Sequence, residues 1–117
     1  MNDQDSQEVC VFCRIIAGAA PAHIVLRHED AIVLHPLAPV TPGHLLVVSR
    51  AHVPDAGASP EAAAATMRIA AEVASGLGAC NIITSRGSAA TQTVPHLHLH
   101  VVPRRPGDGL MLPWTPA

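Results

Sequence analysis

Three histidines alternate with branched aliphatic residues near the end of this 117-residue chain, in the run from His96 to Val102. In a β-strand, such alternation places His96, His98 and His100 on one face and the aliphatic side chains on the other. Three imidazoles that titrate near neutral pH repel one another when more than one is protonated, so a purely structural strand gains little from them. The spacing therefore favours catalysis or metal binding over the alternative, a row of surface histidines on an edge strand.

A second group with possible metal chemistry is the Cys-x-x-Cys pair of Cys10 and Cys13. Two thiolates and two histidines would complete a tetrahedral structural zinc site, and His52 and His96 are candidate partners. The alternative is that both cysteines lie one helical turn apart as small buried apolar residues. The chain has three cysteines, an odd number that argues against a disulfide framework.

Histidine can also act as a nucleophile, and this suits a chain that contains no lysine and no tyrosine. The segments 85–88 and 91–93 supply hydroxyls, an amide, backbone N–H groups and the Arg86 guanidinium, which together suit an anionic phosphoryl group. A zinc hydrolase is a further alternative, but it needs a carboxylate to activate water. After Glu72, the only carboxylate side chain is that of Asp108, which lies beyond two arginines.

Composition limits the remaining classes of function. The chain is 49% hydrophobic, with Phe12 and Trp114 as its only aromatic residues, and its formal net charge is −2. Without a basic cluster or aromatic stacking platforms, no nucleic-acid partner is expected. Residues 1–8 are predicted to form a disordered arm that lacks the pattern of a signal peptide, and no apolar run reaches membrane-spanning length. A cytoplasmic protein with no membrane partner is therefore expected.

The local patterns predict one domain over residues 9–117, with two helices and five strands. A short helix is predicted at 11–17 and a longer one from the Ser59 cap to about Ser75, with Met67, Ala70, Ala71, Ala74 and Leu77 on its sheet-facing side. The predicted strands cover 23–27, 31–35, 44–49, 81–85 and 96–102. Because short connections join consecutive strands, we expect an α+β fold with an antiparallel five-stranded sheet and helices packed on a face.

The chain resembles the histidine-triad nucleotide-binding proteins in several segments that occur in the same order and spacing. These segments are the triad strand preceded by Gln92-Thr93-Val94, the run from Cys10 to Gly18, the run from Pro39 to Val47, and His52-Val53. The resemblance covers nearly everything after residue 9. The combination is far more specific than a single His-x-His would be.

This resemblance implies hydrolysis or transfer at the α-phosphorus of a purine nucleotide conjugate, such as a phosphoramidate, a dinucleoside polyphosphate or an adenylate. The middle histidine, His98, would carry the nucleotidyl group, His100 would orient the phosphate, and His44 would line the site. His96 would support the triad and, in zinc-containing members, bind zinc with Cys10, Cys13 and His52. The nucleotide-binding residues implied are Ser85, Thr91, Gln92, Thr93, His98 and His100. The resemblance also implies a homodimer with sheets joined edge to edge, and it leaves open a binding or scaffolding protein with little turnover.

The chain departs from the family pattern at three positions. Pro36 replaces an acidic residue that binds the ribose hydroxyls, Ser85 replaces an asparagine, and Thr91 replaces a glycine. A ribose hydroxyl that loses its partner costs about 1–3 kcal/mol, so phosphate chemistry is better supported here than specificity for purine nucleosides. The alternative for His44 and His52 is a capping or surface role. His23, His28 and His35 are predicted to be surface residues without a role.

Overall fold

A computed structural model describes residues 9–115 as a five-stranded sheet with one helix on each face. The helices are α1 (Val11–Ile16) and α2 (Pro60–Ser75), and a short 3-10 turn covers Ser88–Ala90. The strands are β1 (Ile24–Arg27), β2 (Ala31–Leu34), β3 (Leu45–Ser49), β4 (Cys80–Ile83) and β5 (His98–Pro103). The predicted fold class is confirmed, with each boundary within two residues of its prediction. The predicted arm at 1–8 lies outside the described residues.

All neighbouring strands are antiparallel, in the spatial order β1-β2-β3-β5-β4. The histidine strand β5 therefore lies inside the sheet, where Val48 pairs with His98 and Leu46 pairs with His100. Because both neighbours of β5 supply ladder hydrogen bonds, its backbone is held in one register, and the directions of its side chains are fixed with it.

The two faces of the sheet form separate apolar clusters. On one face, Phe12 and Ile15 of α1 pack near Leu46 and Val48. On the other face, Ile69 of α2 packs against a cluster that includes Val47, Leu97, Leu99 and Val101. The expectation that β3 is buried on both faces is therefore confirmed. No helix within residues 9–115 combines the length and apolar character needed to cross a membrane.

Helix α2 begins as its sequence predicts, since the Ser59 hydroxyl accepts a hydrogen bond from the Ala62 N–H at 3.1 Å. The predicted sheet-facing side is mostly wrong. Met67 and Leu77 are exposed, and the buried residues are Thr66, Ile69 and Ala70. Alanines cover much of this helix, so apolar spacing alone does not define one stripe. Thr66 can be buried because its hydroxyl donates to the Ala62 carbonyl at 2.8 Å.

Candidate active site

The three histidines lie on the side of the sheet that α1 covers, but only two of them belong to β5. The Phe12 ring lies edge-on to both His98 and His96, with centroids 5.0 and 5.7 Å away. His96 precedes the strand and is fully buried. The prediction that β5 begins at His96 is wrong because the chain bends there, and the next N–H, that of Leu97, donates to the Val53 carbonyl instead of joining a strand ladder.

The His98 ring is held in one tautomer by the backbone. Its Nδ1 lies 2.7 Å from the carbonyl oxygen of His96, which accepts its proton. A neutral His98 therefore carries its proton on Nδ1 and its lone pair on Nε2. An imidazole in this form is ready to act as a nucleophile through Nε2.

His44 and His100 form a second ordered pair. The Val40 N–H donates to His44 Nδ1 at 3.1 Å, and His44 Nε2 lies 2.9 Å from His100 Nδ1. With His44 Nδ1 accepting, its Nε2 carries the proton and donates to His100, whose own proton must then be on Nε2. Burial lowers the pKa of both imidazoles, and the nearby His98 and His44 help to lower the pKa of His100 to about 4. His100 is therefore a neutral hydrogen-bond donor at physiological pH.

Seven of the predicted catalytic and nucleotide-binding side chains line one cavity of about 330 Å³. They are His44, Ser85, Thr91, Gln92, Thr93, His98 and His100. The cavity brings the β5 histidines together with the loop that precedes them. It offers an imidazole lone pair, an imidazole donor and several hydroxyls to one ligand. His96 does not line this cavity but lies behind it.

Two side chains that were expected to bind phosphate make polar contacts within the protein instead. The Gln92 amide oxygen accepts from the Gly87 N–H at 2.8 Å, and its nitrogen donates to the Pro54 carbonyl at 2.7 Å. Gln92 therefore fastens the loop with the polar atoms that were expected to bind phosphate. Arg86 pairs with Asp55 at 3.0 Å and does not line the cavity, so the structure does not bring it beside the triad histidines as predicted.

A second cavity of about 580 Å³ adjoins the first, since Thr93, His98 and His100 line both. Its walls are largely apolar and come from α1 and the strands beneath it, with Phe12, Ile15 and Leu46 among them. An apolar slot beside a nucleophile is suited to the flat ring of a nucleobase. The sequence did not reveal this cavity, because its walls come from distant parts of the chain.

Cys10, Cys13, His52 and His96 form a cluster in which all four potential ligand atoms lie within 4.8 Å of one another. Cys13 Sγ lies 3.0 Å from His52 Nδ1, and Cys10 Sγ lies 3.3 Å from His96 Nδ1. Ligands on one tetrahedral zinc ion lie about 3.3–3.8 Å apart, given ordinary zinc–nitrogen and zinc–sulfur bond lengths. The donor set and its spacing therefore fit zinc.

The orientation of His96 and the environment of Cys13 also bear on metal binding at this cluster. His96 Nε2 lies 2.6 Å from the Ser49 carbonyl, to which it donates, so its Nδ1 faces the cysteines as a lone pair. Burial is the main cause that raises the pKa of the Cys13 thiol to about 12, with further contributions from a hydrogen bond and the charge of Cys10. A thiol with so high a pKa stays protonated at neutral pH unless a cation beside it stabilises the thiolate, so zinc binding here would release a proton. Because the His96 carbonyl also holds His98, the cluster lies directly behind the candidate nucleophile.

Comparison with known proteins decides the family. The family model that describes the HIT domain matches residues 17–107, which is most of the chain. The chain belongs to the HIT domain family. An uncharacterized HIT-like protein of Mycobacterium tuberculosis is 42% identical over 108 residues, covering 86% of this chain and 75% of its own. An adenylylsulfatase of Arabidopsis thaliana is 30% identical over 111 residues, covering 89% of this HIT protein and 56% of its own length.

Solved structures agree with this assignment. A zinc-bound histidine triad family protein from Mycobacterium smegmatis superposes with a TM-score of 0.78 at 38% identity, covering 90% of this HIT protein and 81% of that chain. A HIT family hydrolase from Clostridium thermocellum has a TM-score of 0.77 at 29% identity, covering 90% and 98% of the two chains. The suspected family resemblance and the fold are thereby confirmed.

Sequence reasoning missed two features around the site. Phe12 contacts two of the triad rings, and its position between two candidate metal ligands was a usable signal. His23 and His35 line the second cavity although no role was predicted for them. Nothing in the local sequence marks this pair, because the two residues meet only when β1 and β2 pair.

Proposed function

We propose that this HIT protein is a nucleotidyl hydrolase or transferase that acts at the α-phosphorus of purine nucleotide conjugates. The observation that carries the proposal is the His98 ring, whose Nδ1 lies 2.7 Å from the His96 carbonyl, so that the neutral ring has its lone pair on Nε2. Its side chain lines a cavity of about 330 Å³ together with hydroxyls and a neutral donor, His100. Family membership supports a nucleotide-binding or hydrolytic function of this general kind.

The proposed reaction has two displacements at phosphorus. His98 Nε2 attacks the α-phosphorus, the bond to the leaving group breaks, and the leaving group takes both electrons of that bond. The Nε2–H of His100 can donate to a phosphoryl oxygen or to the departing atom. Water then attacks the nucleotidyl-histidine, the phosphorus–nitrogen bond breaks, and the nucleoside monophosphate leaves with His98 restored. The leaving group can be an amine, a nucleoside phosphate or a carboxylate.

The decisive test compares His98→Asn with His28→Asn, a matched change at a histidine that lines neither cavity. With an adenosine phosphoramidate as substrate, kcat should fall at least 1,000-fold in His98→Asn and change less than about twofold in His28→Asn. During turnover, intact-mass spectrometry of the wild type should detect one covalent adenylyl group. Unchanged turnover in His98→Asn would exclude His98 as the nucleophile.

A second candidate function is a nucleotide-binding or scaffolding protein with little turnover. The engagement of the Gln92 amide in its own loop favours it, since an expected phosphate contact is already satisfied there. This function predicts saturable binding of AMP without any covalent intermediate. Detection of the adenylyl adduct on the wild type would exclude it.

We further propose that the cluster of Cys10, Cys13, His52 and His96 binds structural zinc. The support is the mixed sulfur and nitrogen donor set and the second hydrogen bond of His96 to Ser49. Bound there, zinc would crosslink α1 to the segments that follow β3 and precede β5. The rival zinc-hydrolase mechanism predicts that chelation abolishes turnover, whereas the proposed mechanism predicts mainly a loss of stability.

A further inference from the structure

The second cavity ends at a pair of histidines. The His35 N–H donates to the His23 carbonyl at 3.0 Å across β1 and β2, and the two rings lie 4.5 Å apart. Both side chains line the cavity and both are exposed. A neutral imidazole still offers one N–H donor, so this pair presents two donors to one ligand.

No carboxylate lines this cavity among the described residues, and Pro36, which stands where the family resemblance implies an acidic residue, lies beside the pair. A carboxylate at such a place would accept hydrogen bonds from ribose hydroxyls and would repel a phosphate. Two imidazoles differ from a carboxylate because they can donate to phosphate oxygens and carry no negative charge. The end of the cavity can therefore bind an anion that a carboxylate at this place would repel.

The candidate nucleophile and the histidine pair share this cavity, since His98, His23 and His35 all line it. Leu34, the residue before His35, pairs with Leu46, which in turn pairs with His100. Two strand spacings, about 10 Å, therefore separate β2, which ends just before His35, from β5, which carries His98 and His100. Side chains from both strands extend into the cavity and shorten this backbone separation, so a nucleotide whose α-phosphorus lies at His98 can direct its ribose toward the pair.

We propose that His23 and His35 bind a second phosphate on the ribose, so that the preferred ligands are nucleotides phosphorylated on the 2′ or 3′ hydroxyl. This inference rests on the proposed function for the position of the α-phosphorus. Nucleoside bisphosphates and their 5′ conjugates form the implied substrate class.

The test is isothermal titration of the full chain with AMP, adenosine 2′,5′-bisphosphate and adenosine 3′,5′-bisphosphate. At least one bisphosphate should bind about tenfold or more tightly than AMP, as expected for one or two hydrogen bonds to a charged group. The double change His23→Asn and His35→Asn should remove this preference and leave the affinity for AMP within about twofold. His28→Asn, which alters a histidine outside the cavity, should keep the preference.

A second variant places a carboxylate beside the histidine pair. Pro36→Asp should weaken the binding of the bisphosphate and strengthen that of AMP, because a carboxylate repels phosphate and accepts ribose hydroxyls. Equal affinity of the wild type for all three nucleotides would overturn the inference, as would a bisphosphate preference that survives the double change. Neither result bears on the adenylyl adduct, which tests the proposed function separately. A bisphosphate preference without any adduct would support this site and overturn the proposed turnover.

Discussion

His44 and His100 bring two ring nitrogens within 2.9 Å of each other, and only one proton can lie between them. The Val40 N–H fixes which ring donates, so the whole order follows from one backbone hydrogen bond. Protonation of His100 at Nδ1 would place two donors face to face. Burial is the main cause that lowers the pKa of His100 to about 4, and the nearby His98 and His44 lower it further.

At the scale of this residue, the low pKa predicts acid sensitivity. The folded pKa of about 4 lies below the ordinary value of 6.5, so the unfolded chain takes up a proton first as pH falls. Titration of His100 therefore does not change the free energy of unfolding above pH 6.5, and it lowers this free energy as pH drops from 6.5 to about 4. A fully desolvated imidazole would lose about 3 kcal/mol, and about 2 kcal/mol is expected after discounting partial exposure. Urea unfolding at several pH values measures this loss, which should shrink in His100→Asn but not in His28→Asn.

Thr91 has a strained backbone, with a φ of 69° that residues with an L side chain rarely adopt. We expect Thr91→Gly to raise the free energy of unfolding by about 0.5–1 kcal/mol, since glycine accepts this conformation but loses more entropy on folding. Ala90→Gly is the matched control and should lower stability, because the φ of Ala90 is negative. Thermal unfolding of both variants measures the effect. A destabilised Thr91→Gly protein would contradict this explanation.

At the scale of elements, the six-residue helix α1 depends on its tertiary contacts. A helix of this length is not stable alone, so packing by Phe12 and Ile15 must hold it. Its N-terminal Cys10 accepts a hydrogen bond from the Cys13 N–H at 3.4 Å, which also shapes the cysteine pair. The same few residues therefore cap the helix, support the triad and offer metal ligands.

Removing a metal ligand from α1 tests this dependence. We expect Cys13→Ser to lose one equivalent of zinc by elemental analysis and to lower the free energy of unfolding. The loss should be about 3 kcal/mol when zinc is supplied at 100 times its Kd. Cys80→Ser is the control, because Cys80 lies on β4 outside the cluster and should keep both zinc and stability. Equal zinc content in both variants would exclude the proposed site.

At the scale of the whole molecule, strands β1 and β4 form the two open edges of the sheet. The C-terminal segment is tied beside β4, since Arg104 donates to Asn81 at 2.7 Å and to Asp108 at 2.8 Å. The hydrogen bond from Arg104 and its positive charge hold the pKa of the Asp108 carboxyl well below the usual range. Farther along, the Trp114 side chain remains 76% exposed, which is unusual for the largest apolar side chain in the chain.

Family resemblance implies a homodimer, and Trp114 offers a way to detect it. The chain has one tryptophan and no tyrosine, so its intrinsic fluorescence reports on this residue alone. We expect light scattering to give twice the 12.1 kDa mass of one chain. If the second copy covers Trp114, its emission should move to longer wavelength on dilution below the dimer Kd. A monomeric mass at all concentrations would contradict the dimer.

The sequence by itself determined the elements, their approximate ends and the chemical character of the site. Alternation around Leu99 and the cap at Ser59 act over a few residues, so they can be recognised without knowledge of the fold. The sequence segments shared with the family also indicated which residues to examine at the cavity and at the metal cluster.

Only the tertiary structure decided which groups meet and in which protonation state. The insertion of β5 between β3 and β4 sets His100 against His44, 56 residues away, and this contact passes the proton order of His44 on to His100. The bend before β5 places His96 behind the cavity. The Gln92 amide oxygen accepts a hydrogen bond from Gly87 in its own loop. These outcomes depend on strand order and long-range hydrogen bonds, which no local pattern encodes.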